Sequence, residues 1–168
     1  ATTFNDLGGG TLQVDAGDTL VLNGVTIEGG TINDNGDIVV VADSAIIGSE
    51  TNVVLNDGVV TVESDVTLKL DNVTANDTTF DDLAPGSTLL VDAGDELVLN
   101  GVTIVGGTIN DNGTIEVTGD SELQGSASNL VLNNGVVTVE SQVTLRLDDV
   151  TANMTRFNDL GGGTPAPP

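Results

Sequence analysis

The chain has 168 residues, 38% of them hydrophobic, and a formal net charge of −23 that comes from 26 acidic residues against three Lys and Arg. Nucleic acids and anionic membrane surfaces bind clusters of basic residues, so we expect no nucleic-acid partner and no membrane insertion. The chain has no Cys and no His, which excludes a disulfide framework and a Ser–His or Cys–His catalytic dyad.

The apolar residues indicate a chain of β-strands. Val, Ile and Leu predominate over the three Phe, and Val and Ile favour extended backbone because branching at Cβ restricts χ1. The chain also has 22 Gly, and Asn-Gly and Asp-Gly pairs recur between short segments in which apolar and polar residues alternate. Such pairs are typical of tight turns, so the composition predicts an all-β fold.

An internal duplication extends through the chain. Residues 11–87 and 88–164 align without gaps, and about 54 of the 77 aligned positions are identical. The octapeptide Phe-Asn-Asp-Leu-Gly-Gly-Gly-Thr begins at Phe4 and again at Phe157. The first ten residues therefore match the end of a repeat that would precede the two copies.

We expect one continuous structural unit over residues 1–163, with residues 1–10 as the end of a preceding repeat. Residues 164–168 are Pro-rich and are interpreted as a tail or linker.

A shorter pattern recurs within each copy: an apolar residue followed by two Asn or Asp residues. Seven of its occurrences follow one another at steps of 28, 23, 25, 29, 23 and 25 residues. Because these uneven steps themselves repeat, we interpret each occurrence as the same position on successive turns of a coil, with Phe80 buried inside it. The apolar members of this predicted column are Phe4, Ile32, Leu55, Phe80, Ile109, Leu132 and Phe157.

Such a coil is a parallel β-solenoid. Each turn has room for three short strands with an apolar residue at every second position, as expected when one face of a strand points into a core. An antiparallel sandwich is the alternative, but it does not place the same residue type at the same phase every 23 to 29 residues. We predict an all-β, right-handed, single-stranded parallel β-helix of about six rungs with three strands each, so that each copy makes three turns.

The first polar residue of the pattern predicts a ladder of stacked side chains. Asn and Asp tolerate left-handed backbone and bond to nearby main chain, so we interpret this ladder as structural. Its predicted members, after Asn5, are Asn33, Asn56, Asp81, Asn110, Asn133 and Asn158.

The second polar residue predicts a column of carboxylates. Carboxylates one rung apart, at about 4.8 Å, repel each other by about 1 kcal/mol in water. Two interpretations follow: the side chains extend into solvent, or a Ca²⁺ ion lies between them, since Ca²⁺ prefers carboxylate and backbone oxygens. Under the second interpretation the calcium ligands are Asp34, Asp57, Asp82 and Asp111.

We expect no enzymatic activity. A carbohydrate-binding or carbohydrate-active β-helix, similar to a lyase or hydrolase, is the main alternative. Sugar hydrolysis needs paired acids in a sugar-binding cleft, and the chain has no Trp or Tyr to stack on a sugar. An ice-binding solenoid is a further alternative, but the outward residues that the pattern predicts do not form a regular Thr ladder.

Several motifs resemble the repeats of large secreted or surface proteins of bacteria, including the β-helical passengers of autotransporters and filamentous adhesins. They are Leu-Lys-Leu-Asp-Asn-Val-Thr from Leu68, Leu-Arg-Leu-Asp-Asp-Val-Thr from Leu145, and Gly-Gly-Thr-Ile-Asn-Asp-Asn-Gly from Gly29. The resemblance covers essentially the whole chain but carries no functional residues. It implies a right-handed β-helix that is secreted or at the cell surface. We expect the module to act as a non-catalytic stiff acidic spacer or adhesion surface. Its expected partners are neighbouring repeats of the same array and cell-surface glycans or another cell.

Overall fold

The structure of the protein, a computed structural model, describes residues 2–82 and 85–161. These residues form 23 short β-strands. The described part of the chain contains no helix that could span a membrane. The predicted Pro-rich tail, residues 164–168, lies outside the described part of the chain.

The strands are three to six residues long and are separated by tight corners. Of the eight described non-Gly residues with positive φ, six are Asn or Asp, which tolerate this conformation best. In chain order the strands are β1 Thr2–Asn5, β2 Thr11–Val14, β3 Thr19–Asn23, β4 Val25–Glu28, β5 Thr31–Asp34, β6 Asp37–Ala42, β7 Ser44–Ile47, β8 Val53–Asn56, β9 Val59–Val62, β10 Thr67–Asp71, β11 Val73–Asn76, β12 Thr79–Asp81, β13 Thr88–Val91, β14 Glu96–Asn100, β15 Thr103–Val105, β16 Thr108–Asp111, β17 Thr114–Val117, β18 Ser121–Gln124, β19 Leu130–Asn133, β20 Val136–Val139, β21 Leu145–Asp148, β22 Val150–Asn153 and β23 Arg156–Asp159.

Each strand pairs in parallel with the strands three positions before and after it in the chain. This pairing gives three sheets: sheet A begins with β1 and ends with β22, sheet B runs from β2 to β23, and sheet C from β3 to β21. One strand of each sheet makes one rung, so the predicted parallel β-solenoid with three strands per rung is confirmed. The described chain has seven complete rungs and two strands of an eighth, against the six that the sequence predicted.

The inward residues of all three sheets meet in one continuous hydrophobic core. In β9, for example, Val60 and Val62 are fully buried while Thr61 between them is partly exposed. Each inward side chain stacks on its counterpart about 4.8 Å away in the next rung, so aliphatic residues of similar size fill the interior.

The 77-residue repeat does not contain a whole number of rungs. The first strand of the first copy, β2, corresponds to β13 in the second, so one copy contains 13 − 2 = 11 strands. Eleven strands are three rungs and two further strands, not the three turns that the sequence predicted. As a result β2 lies in sheet B whereas β13 lies in sheet A. Identical sequence therefore faces different directions in the two copies.

The predicted single apolar column is not formed, for the same reason. Only two pairs of its members are neighbours on adjacent rungs, Ile32 with Leu55 and Ile109 with Leu132. The seven residues are distributed over all three sheets: Phe4, Ile109 and Leu132 lie in sheet A, Ile32, Leu55 and Phe157 in sheet B, and Phe80 in sheet C.

The three Phe differ in burial. Phe80 is fully buried between Val60 and Ile104 of the adjacent rungs, as predicted. Phe4 and Phe157 are 55% and 42% exposed.

Candidate functional site

A ladder of Asn side chains follows the corner at the end of the sheet B strands. Each Asn after the first, Asn33, donates through Nδ2 to Oδ1 of the Asn one rung before it. The donor–acceptor distances are 2.8 Å from Asn56 to Asn33, 2.9 Å from Asn76 to Asn56 and 3.0 Å from Asn100 to Asn76. Because every amide in the middle of the ladder both donates and accepts, the ladder ties four rungs together.

A second ladder of the same kind lies on sheet A, in the second copy. Asn133 donates to Asn110 at 2.9 Å, and Asn153 donates to Asn133 at 3.0 Å. The two ladders are on different sheets because the second copy is displaced by one sheet.

The structure places four of the six residues of the predicted Asn/Asp ladder in these two ladders, as the pairs Asn33–Asn56 and Asn110–Asn133. The other two lie elsewhere: Asp81 is in sheet C, opposite Thr61 and Val105, and Asn158 is in sheet B, opposite Thr138. The ladder residues that the predicted ladder omitted are Asn76, Asn100 and Asn153. Each is the last residue of a strand and directly follows an inward Ala or Leu. This position at a strand end is the sequence feature that could have identified them.

The four predicted calcium ligands do not form one site. Asp34 ends β5 in sheet B, Asp82 follows β12 in sheet C, and Asp111 ends β16 in sheet A; all three are fully buried. Asp57 lies near Asp34, but it is exposed at a left-handed corner with φ 60°. Among the described residues, no group of three or more acids is placed to hold a metal ion. The residues therefore do not fit the shared calcium site that a single carboxylate column predicted.

Asp34 and Asp111 are equivalent residues of the two copies and have the same environment. Each takes an inward position at the end of its strand, and its Oδ1 accepts a hydrogen bond from the N–H two residues later. These distances are 3.1 Å from Gly36 to Asp34 and 3.0 Å from Gly113 to Asp111. The buried carboxyl thus stabilises the turn through a hydrogen bond on its core side.

Asp82 has a related role at a corner of sheet C. Its Oδ2 accepts a hydrogen bond from the Thr108 N–H of the next rung at 3.2 Å, and its backbone carbonyl accepts one from the Ser87 hydroxyl at 2.9 Å. One carboxyl oxygen of each buried Asp has no hydrogen-bond partner among the described residues: Oδ2 of Asp34, Oδ1 of Asp82 and Oδ2 of Asp111.

A Gly in the next rung makes room for each of these three carboxyls. A Cβ at any of the three positions would collide with the carboxyl, and each Gly has a positive φ between 59° and 64°. The pairs are Asp34 with Gly58, Asp82 with Gly107 and Asp111 with Gly135.

Burial changes the acidity of these groups. It raises the pKa of Asp82 to about 6, although the Ser87 hydroxyl and the Thr108 amide act in the opposite direction. Burial likewise raises the pKa of Asp111 to about 6 against the effect of nearby backbone amides, and it raises the pKa of Asp34. The cause is the loss of hydration of the charged form. Because these carboxyls are fully buried, they contact neither solvent nor a substrate. Their role is to accept hydrogen bonds from backbone amides at the corners.

The ionic contact with the most buried partner joins rungs four and five. Lys69 Nζ lies 2.5 Å from Asp71 Oδ2 and 2.7 Å from Asp92 Oδ2, and the Asp71 side chain is only 5% exposed. In the second copy Arg146 takes the place of Lys69 and pairs with Glu122 and Asp148 on the surface. Only the contacts with Asp71 and Asp148 are equivalent, since Lys69 also reaches Asp92 of the next rung whereas Arg146 reaches Glu122 of the preceding rung.

The exposed side of the sheet B ladder forms a shallow polar groove, which we call the amide groove. Its volume is about 310 Å³. The neighbouring outward column of sheet B is not an unbroken run of Thr, since it consists of Thr11, Thr31, Val54, Thr74 and Val98. The residues that line the amide groove are Asn33, Asn35, Asn56, Asp57, Asn76 and Asp77.

No protein-family model matches the chain, and comparisons with curated proteins and with solved structures found no significant match. The resemblance to bacterial surface-protein repeats therefore rests on sequence motifs alone. The structure itself establishes a parallel β-solenoid.

Proposed function

We propose that the chain is a non-catalytic structural module of a secreted or surface-exposed bacterial protein, in which it serves as a stiff acidic spacer and adhesion surface. The observation that carries the proposal is the unbroken pairing of strands in all three sheets around one core. Bending such a body requires the breaking of backbone hydrogen bonds in at least one sheet, because successive rungs of the described residues are paired in all three sheets. The two Asn ladders and the Lys69 contact add side-chain bonds between rungs.

The charge supports a spacer role. With 26 acidic residues against three basic ones, neighbouring molecules repel each other, which favours an extended and unaggregated array. Calcium bound by the four predicted Asp is not part of the proposal, because these residues do not meet.

Equivalent strands of the two copies lie in different sheets, and this arrangement supports a role as a repeated adhesion surface. Each copy contains 11 strands, so the same outward residues face a new direction in the next copy. Neighbouring repeats that continue this coil would present equivalent patches on all three faces in turn, which suits contact with partners on any side.

Single-molecule pulling on the two ends of the chain tests the spacer function. We expect unfolding in discrete steps of about one rung, at forces comparable to those of a β-sandwich domain included in the same tether as an internal reference. Gradual extension at forces well below the reference would contradict the proposal.

Glycan binding in the amide groove is the second candidate, and the groove is the observation that favours it. Asn and Asp side chains supply both donors and acceptors for sugar hydroxyls. Retention of neutral polysaccharides on the immobilised chain is the measurement. Because Asn35 and Asp57 line the groove without belonging to the ladder, the variant Asn35→Ala/Asp57→Ala should lose retention while it keeps the circular dichroism spectrum of the wild type. Absence of retention for every polysaccharide tried would reject this candidate.

A further inference from the structure

Five Asn-Gly pairs occur in the described chain, and they differ in how their groups are held. Asn followed by Gly is the dipeptide most prone to lose its side-chain amide, because Gly leaves its own N–H free to approach the Asn side chain. The pairs begin at Asn23, Asn35, Asn100, Asn112 and Asn134. We propose that Asn23 is a site of spontaneous deamidation and that the fold protects the other four.

Asn23 and Asn100 make the sharpest comparison, because they are equivalent residues within the identical octapeptide Leu-Val-Leu-Asn-Gly-Val-Thr-Ile. Both are exposed and both precede a Gly with positive φ. Asn100 donates through Nδ2 to Asn76 at 3.0 Å as part of the sheet B ladder. Asn23 lies in sheet C opposite Ala42, and its side chain makes no hydrogen bond within the described residues. The sequence predicts equal reactivity for this pair, and the displaced sheet makes it unequal.

Asn35 and Asn112 are protected through the attacking group rather than through the side chain. The N–H of the following Gly donates to a buried carboxyl, from Gly36 to Asp34 at 3.1 Å and from Gly113 to Asp111 at 3.0 Å. An amide held in this direction cannot turn toward the Asn side chain.

Asn134 is held by its backbone. It has φ 61°, and its N–H donates to the Asn153 carbonyl in the next rung at 2.8 Å. This bond holds Asn134 itself in the left-handed conformation, which Asn23 does not have, so the backbone rotation that the reaction requires is blocked at Asn134.

At Asn23 the reaction proceeds as follows. The Gly24 amide loses its proton to solvent base, and its nitrogen attacks Cγ of Asn23. The new Cγ–N bond closes a five-membered succinimide while the Cγ–Nδ2 bond breaks and ammonia leaves with a proton from solvent. Water then opens the ring at either carbonyl and leaves Asp or isoaspartate. Each event adds one negative charge, and isoaspartate lengthens the backbone at the corner where Thr2 N–H donates to the Gly24 carbonyl.

The test is incubation of the chain in ¹⁸O-labelled water at mildly alkaline pH, followed by peptide mapping with mass spectrometry. In the folded chain we expect label at Asn23 to accumulate about tenfold faster than at Asn100, the factor that one hydrogen bond of ordinary strength supplies. In urea the two sites should react equally, since their sequence contexts are identical. Equal rates in the folded chain, faster reaction at any of the other four sites, or no reaction at Asn23 would overturn the proposal.

Two variants separate the causes. Asn23→Gln should abolish the early acidic species on ion exchange. Asn76→Ala removes the acceptor of Asn100, so the rate at Asn100 should rise toward that at Asn23. If Asn76→Ala does not fold, the comparison of folded and unfolded wild-type chain still decides the proposal.

Discussion

The carboxyl of Asp34 occupies the space that a side chain on Gly58 would fill, and the two residues lie on successive rungs. The same relationship links Asp82 with Gly107 and Asp111 with Gly135. A buried Asp at one corner therefore requires a Gly in the next rung, and each such pair fixes how the two rungs are stacked.

Gly58→Ala should lower the free energy of unfolding by about 2 to 4 kcal/mol, because the new Cβ meets the Asp34 carboxyl and the backbone has φ 64°. Gly17→Ala is the matched control, since Gly17 also has positive φ but faces open space. It should cost only the backbone strain, about 1 kcal/mol. Urea denaturation of the two variants measures the difference, and equal losses would show that the Asp34 contact contributes nothing.

Acidification should stabilise the fold through the buried carboxyls. Because the pKa of Asp111 is raised to about 6 in the folded state, the folded chain binds more protons than the unfolded chain between pH 4 and pH 6. This stabilisation is fully present below the unfolded pKa near 4 and is lost as the pH rises through 6. The midpoint of thermal unfolding at constant ionic strength should therefore fall across this range.

The variant Asp111→Asn isolates this contribution from general charge repulsion, because Asn does not titrate. Its midpoint should depend less on pH than that of the wild type. Asp159→Asn is the control: Asp159 accepts a similar bond, from Gly161 N–H at 3.1 Å, but it is exposed. If both variants change the pH profile equally, burial of Asp111 is not the cause.

Phe80→Ala should lower the free energy of unfolding by about 3 to 5 kcal/mol, because the ring is fully buried and its loss leaves a cavity. Phe157→Ala should cost clearly less, since that ring is 42% exposed. Chemical denaturation measures both, and a near-neutral effect of Phe80→Ala would mean that β12 does not face the core.

Asn56→Ala should lower the free energy of unfolding by about 1 to 3 kcal/mol, because it leaves Asn33 Oδ1 and Asn76 Nδ2 without their partners. Asn153→Ala removes one such bond at the end of the other ladder and should cost about half as much. A loss for Asn56→Ala no larger than that for Asn153→Ala would indicate that the ladder is not cooperative.

Much of the architecture could be predicted from the sequence. The alternation of apolar and polar residues determined which side of each strand faces the core, and the duplication indicated a solenoid rather than a sandwich. The burial of Phe80 followed from the same alternation. The pairing of Asn33 with Asn56 also followed, because the spacing between them is one rung.

The candidate site was less predictable. The pattern of an apolar residue and two polar ones marks strand ends, but strand ends occur at all three corners of a rung. A single column was therefore assumed where the chain has several. Asp34, Asp82 and Asp111 were expected to extend into solvent or to share a Ca²⁺ ion, whereas they are buried at separate corners.

By itself, then, the sequence determined the strand content, the inward and outward faces and the repeat. Only the tertiary structure decided which sheet each strand joins, because every strand has the same alternation and is compatible with any of the three sheets. The number of strands between two equivalent residues sets their relative direction, and 11 strands per copy do not divide evenly by three. For this reason Asn23 and Asn100, in identical sequence, lie on different faces and have different partners.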